Sequence, residues 1–241
     1  FLTMYQDYSD TYSESPYVRY INRWNLQKKH PELNISEPIK PIVFWIENTV
    51  PHEFRDAVAE GIEKWNLAFE KIGFKNAIVA KQMPDDADWD PADTRYNTIR
   101  WMIQPGSAYA VGPSRANPFT GELYDADIRI GSDFLRYFYN DFVEYIDPLQ
   151  EISYQDSSHH NHSDCRYQDL MKSKMIYTWN YLISTNQMKN SKKQMKQFVH
   201  DGIVDLILHE VGHTLGLRHN FKASSIYSIE QLSNPDFTNQ Y

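Results

Sequence analysis

One stretch near the C-terminus constrains this chain more than any other: His209-Glu-Val-Gly-His213-Thr-Leu-Gly-Leu-Arg-His219. His209 and His213 are four residues apart, so on an α-helix they leave the same face and two imidazoles can share one ion. Glu210 follows the first histidine and lies within reach of a water beside that ion. Gly216 falls one turn later. A glycine there can take the left-handed conformation that ends a helix. The chain then doubles back, and His219 brings a third nitrogen. The apolar row Ile203, Ile207, Val211, Leu215 predicts a helix over about 198–215. At ~100° per residue that row lies roughly 160° from the two histidines, so one side packs while the other presents ligands.

Three neutral ligands leave a fourth position open, which is the pattern of a catalytic zinc rather than a structural one. Zn2+ so held polarises a carbonyl and acidifies water, and Glu210 is placed to act as general base. At average composition the five fixed positions arise by chance in roughly one chain in a hundred thousand of this length. The bland reading, a helix with surface histidines, leaves His219 and Gly216 unexplained.

The rest of the composition narrows the classes. A chain of 241 residues, 41% hydrophobic, can bury a sizeable core and is not of disordered composition. Its formal net charge of −8 argues against a nucleic-acid partner, which needs clustered Lys and Arg. The one basic run, Lys189 to Lys196, reads as a solvated face. The aromatic excess reads as packing and an amphipathic surface. Cys165 is the only cysteine, so no intrachain disulfide forms. No apolar run reaches transmembrane length, and no signal peptide is seen. The first residue is Phe, which reads as an excised fragment.

Along the chain, residues 1–40 are polar and Tyr-rich and read as a lead-in segment or the tail of a preceding domain. Strands are predicted over Pro41–Ile46, Ala77–Lys81, Thr98–Ile103 and Tyr124–Ile130, with an edge strand over Ala108–Arg115. In the last full strand Asp125, Asp127 and Arg129 alternate with Ala126, Ile128 and Ile130, which predicts half-burial. Phe54, Val58, Ile62, Trp65, Phe69 and Ile72 predict one amphipathic helix over Pro51–Ile72, capped by Gly73. Asp147–Gln168 reads as an insertion loop, and Met171, Met175, Trp179 and Leu182 as a helix after it.

Other polar clusters have plainer readings. Five Asp within Asp85–Asp93 suggest a solvated loop before a calcium site. Asp125, Asp127 and Asp133 read as caps of strands and turns. His159, His160 and His162, with Asp164 and Cys165, read as an adventitious cluster rather than a second metal site.

The 209–219 motif is the metzincin signature. Lys40-Pro-Ile-Val-Phe-Trp, Gly61-Ile-Glu-Lys-Trp-Asn, Glu70-Lys-Ile-Gly-Phe-Lys-Asn-Ala-Ile, Asp88-Trp-Asp-Pro and His219-Asn-Phe-Lys-Ala-Ser-Ser resemble a family of bacterial multidomain zinc metalloproteases with a metzincin core. The resemblance implies an α/β fold: a twisted mixed sheet packed on two long helices, with the active-site helix followed by a Gly turn, over 41–241. It implies zinc-dependent hydrolysis of a protein or peptide substrate and an extracytoplasmic location, whether secreted, periplasmic or in the cell envelope. It also implies that an edge strand pairs with extended substrate, which assigns Ala108, Tyr109, Ala110, Val111 and Gly112 to substrate binding. Metzincins carry a Met-containing turn after the third histidine. The last methionine here is Met195, so the domain is expected to be C-terminally incomplete. Two alternatives stand beside the peptidase. One is a non-catalytic zinc-binding adhesion or glycan-binding module on a protease-like scaffold. The other is a metallohydrolase acting on something other than peptide.

Overall fold

The computed structural model describes residues 2–9, 11–103, 110–132, 167–187 and 192–238. Ala108, Tyr109, the His159–Cys165 cluster, Asp133 and most of the Asp147–Gln168 stretch lie outside them.

The frame is a mixed α/β sheet. Strands β4 (Ile42–Ile46), β5 (Ile78–Gln82), β6 (Asn97–Met102) and β9 (Glu122–Gly131) run parallel in the order β5-β4-β6-β9. Strand β3 (Arg23–Trp24), from within the lead-in segment, pairs parallel with Glu122 and Leu123 of β9. On the other edge of β9 sit two short antiparallel strands, β7 (Ala110–Val111) and β8 (Ser114–Ala116). The remaining strands, β1 (Leu2–Gln6) and β2 (Tyr17–Ile21), form a separate antiparallel pair. The alternation in β4 buries Ile42, Phe44 and Ile46 and leaves Val43 and Trp45 partly exposed, as a strand covered more fully on one face should.

The predicted 51–72 helix is interrupted. It comprises a short 3₁₀ turn (His52–Phe54), α1 (Arg55–Glu63) and α2 (Asn66–Lys71). Between α1 and α2 the Trp65 N–H bonds three residues back, to Ile62 O, and this local tightening breaks the α-helical ladder. Gly73 ends α2 at φ +90 as expected, with Phe74 N–H bonding back to Phe69 O. Two further helices are α3 (Tyr167–Ser184) and α4 (Lys192–Thr214). Short helices α5 (Ile229–Leu232) and α6 (Pro235–Thr238) follow.

The core lies between the sheet and α1, α3 and α4. The row Ile203, Ile207 and Val211 is buried in it with Val58, Ile62, Phe44 and Ile128. Helix α1 approaches α4 closely at Gly61, where a Cβ would lie 2.7 Å from Ile207 Cβ. The half-buried reading of β9 needs correction. Asp125 and Asp127 are buried along with Ala126 and Ile128, because strands flank β9 on both edges and Arg115 covers the acidic face.

Candidate metal centre

Helix α4 delivers His209 and His213 from one face, and its C-terminus is built to return the chain. Leu217 N–H bonds to Gly212 O and Gly216 N–H to His213 O, with Gly216 at φ +94. These two bonds are a Schellman ending, which needs a residue free to enter the left-handed region. Gly216 is required for space as well: a Cβ there would stand 2.5 Å from Asn22 O.

The turn brings His219 to the pair. His209 Nε2 and His219 Nε2 are 3.1 Å apart, and the three rings sit with centroids 4.6, 4.8 and 5.1 Å apart. Two nitrogens bound tetrahedrally at ~2.05 Å would be about 3.3 Å apart, so the spacing suits one zinc ion. Among the described residues this is the only group of three or more His, Cys, Asp or Glu placed to hold a metal. The carbonyl of Leu217 lies 3.1 Å from His213 Nδ1. A carbonyl only accepts, so Nδ1 carries the proton and Nε2 keeps its lone pair. This is how a backbone partner fixes a ligand's tautomer and ring angle. Burial, then the neighbouring imidazoles of His213 and His219, push His209 down to about 4. Burial first, then His213 and Arg218, lowers His219 as well. Both are therefore neutral near pH 7, the state in which imidazole binds metal.

Glu210 is 0% exposed, and neither carboxylate oxygen has a hydrogen-bond partner among the described residues. Burial pushes its carboxyl up to about 7. A buried carboxylate left without partners is destabilising, so it persists where something other than stability keeps it. What backs it is the edge strand. A Cβ on Gly112 would lie 3.0 Å from Glu210 O, 3.2 Å from Thr214 Cγ2 and 3.6 Å from Glu210 Oε2. Only glycine lets this backbone rest so close to the helix. Ala110 and Val111 pair antiparallel with Ile130 and Arg129, and among the described residues no strand pairs with the other edge of β7.

Several supporting residues carry no motif of their own. Trp65 donates its indole N–H to Leu208 O at 2.9 Å, and a Cβ on Gly212 would stand 3.0 Å from its ring. Trp24 donates to Thr214 O at 3.0 Å, across 190 residues of chain. In the sequence Trp65 stands out only as an apolar helix position, and nothing local marks Trp24 or Asn22. Four of the acidic candidates are in ordinary pairs. Asp93 binds Arg95, and Asp90 Oδ1 accepts the Ala92 N–H. Asp125 and Asp127 do not cap strands or turns. They pair with Arg115 and Thr98.

The Met-zincin family model matches residues 191–241, the segment that holds α4, the three histidines and the Gly turn. Over that segment, about a fifth of the chain, the protein is similar to the metzincins. No curated protein and no solved structure matches the chain. No helix among the described residues is long and apolar enough to cross a membrane.

Proposed function

We propose that the protein is a zinc-dependent metalloendopeptidase that cleaves peptide bonds with water, with no covalent intermediate. His209, His213 and His219 would hold the ion and Glu210 would act as general base. The observation that carries this reading is Glu210: a fully buried carboxylate, unpartnered on both oxygens among the described residues, next in sequence to the first of three converging imidazoles.

When bound, zinc supplies Lewis acidity, which polarises the scissile carbonyl and acidifies water. The protein's own groups do the rest. Glu210, with a proton affinity near neutrality, takes a proton from the attacking water and returns it to the leaving amine; a base poised near the working pH does both efficiently. The open edge of β7, together with Ala108 and Tyr109 just before it, would pair with an extended peptide through backbone hydrogen bonds. Gly112 would bring that peptide to Glu210. Extracytoplasmic location remains part of this proposal and rests on the family resemblance.

A non-catalytic zinc module would have no use for a buried, unpartnered carboxylate beside its ligands, and a non-peptide hydrolase would have no use for an open strand edge. The deciding experiment compares wild type with Glu210→Gln for bound zinc and for cleavage of an unfolded protein mixture. The variant should keep zinc and lose ~10² to 10⁴-fold in rate. Unchanged turnover would remove Glu210 from the mechanism. A zinc-loaded wild type that cleaves nothing would favour the non-catalytic module.

A further inference from the structure

Strand β9 carries two carboxylates on one face, Asp125 and Asp127, and both are buried. Each is held from a flanking strand. The Thr98 hydroxyl on β6, directly opposite Asp127, donates to its Oδ1 at 2.9 Å. Arg115 on β8, directly opposite Asp125, ion-pairs with Asp125 Oδ2 and lies 3.7 Å from Asp127 Oδ2. The second Asp125 oxygen has no partner among the described residues. Arg115 is thus the cation these two buried carboxylates share. Its own side chain is about half exposed.

The strands that need anchoring are β7 and β8. They have two and three residues, and their register on β9 shifts between Arg115 and Ala116. So few ladder bonds hold an edge weakly, and a slip of one residue would turn every side chain to the opposite face. Gly112 lies three residues before Arg115 and rests on Glu210 and Thr214. Where the ion pair pins β8 therefore determines where Gly112 meets the active helix.

We propose that Arg115 is a positioning residue: through Asp125 and Asp127 it sets the register and height of the Ala110–Gly112 edge against Glu210, and so the slot a peptide enters. The proposal rests on the peptidase reading. It predicts an effect on extended substrates and none on the ion. Removing Arg115 leaves two buried carboxylates without their cation, Asp127 keeping only the Thr98 hydroxyl, which is strongly unfavourable. The edge would relax outward to let water reach them.

The test compares wild type, Arg115→Met, and Arg115→Met combined with Asp125→Asn. The readouts are zinc affinity, KM and kcat for a long peptide, binding of acetohydroxamate and of a tripeptide hydroxamate, and amide hydrogen exchange. Arg115→Met should raise KM about tenfold, because a loosened edge loses one or two backbone hydrogen bonds to the peptide. Zinc affinity, kcat and acetohydroxamate binding should not change. Exchange should accelerate over 110–116 but not over 203–214. The double variant should regain stability without regaining the low KM. If KM returns with the double variant, Arg115 only neutralises buried charge and the proposal fails. It fails too if both hydroxamates weaken together, or if exchange over 110–116 is unaltered. Should Arg115→Met not fold, Arg115→Lys, which keeps charge but loses the planar fork, carries the same test. If wild type cleaves no peptide, the peptidase reading falls, and the exchange arm still decides for Arg115.

Discussion

Gly216→Ala separates the two duties of the glycine that ends the metal-bearing helix. At φ +94 an alanine is strained, and its Cβ would stand 2.5 Å from Asn22 O, a backbone atom that cannot swing aside. Strain in the left-handed region and the displaced segment together should cost about 2–4 kcal/mol. The chain holds its own control. Gly73 ends α2 at φ +90, and a Cβ there would meet Asn34 O at 2.6 Å. Gly73→Ala should therefore destabilise the metal-free protein by a similar amount, measured by urea unfolding. The variants should differ in zinc binding. His219 follows Gly216 by three residues, so a shifted turn misplaces one of three ligands, and loss of such support weakens affinity about 10- to 100-fold. That corresponds to about 1.4–2.7 kcal/mol less stabilisation by saturating zinc. Gly73→Ala should bind zinc like wild type. Equal zinc affinities for the two variants, from competition against a chelator, would refute the argument that Gly216 places His219.

Other outcomes follow from the same contacts. In the metal-free protein, Glu210 binds its proton more tightly folded, at about 7, than unfolded, at 4.5, so its contribution to stability should fall as pH rises through that window and level off above it. Glu210→Gln should remove a decline of about 3 kcal/mol between pH 4.5 and 8, and identical pH slopes for the two proteins would contradict the burial assigned to this carboxyl. His209, held at about 4, contributes with the opposite sign as pH falls below 6.5, and its effect cancels in that comparison. Gly212→Ala should destabilise wild type more than a Trp65→Leu background, because Trp65 Cζ2 is the atom its Cβ meets, and a double-mutant cycle by urea unfolding should show coupling of about 1 kcal/mol. Gly112→Ala should lower peptidase activity while leaving zinc content intact, as activity and metal analysis on one preparation would show.

The metal centre was legible because all of its chemistry is local. His209, Glu210, His213, Gly216 and His219 lie within one helix turn sequence and its reversal, where spacing alone dictates which side chains meet. Strands β4, β5, β6 and β9 were legible for a similar reason, from short apolar or alternating runs; β3, two residues of the polar lead-in, was not, and the edge predicted over 108–115 is divided into β7 and β8. What could not be read is long-range. Nothing local in Trp24 or Asn22 says that they will meet Thr214 O and the Gly216 turn. The burial of Asp125 and Asp127 was hidden for a different reason: alternation with Ala126 and Ile128 is the pattern of a half-solvated strand, and only the pairing of neighbouring strands, which brings Arg115 and Thr98 across, reverses it. The sequence over 51–72 predicts one continuous helix because its apolar spacing never falters. The break at Trp65 coincides with an indole bond to Leu208 O, a tertiary contact that competes with the local ladder. The legible part thus lies inside one motif, and the rest depends on which elements pack or pair together. The motif specifies the ligands, and residues more than a hundred positions upstream hold the helix that carries them.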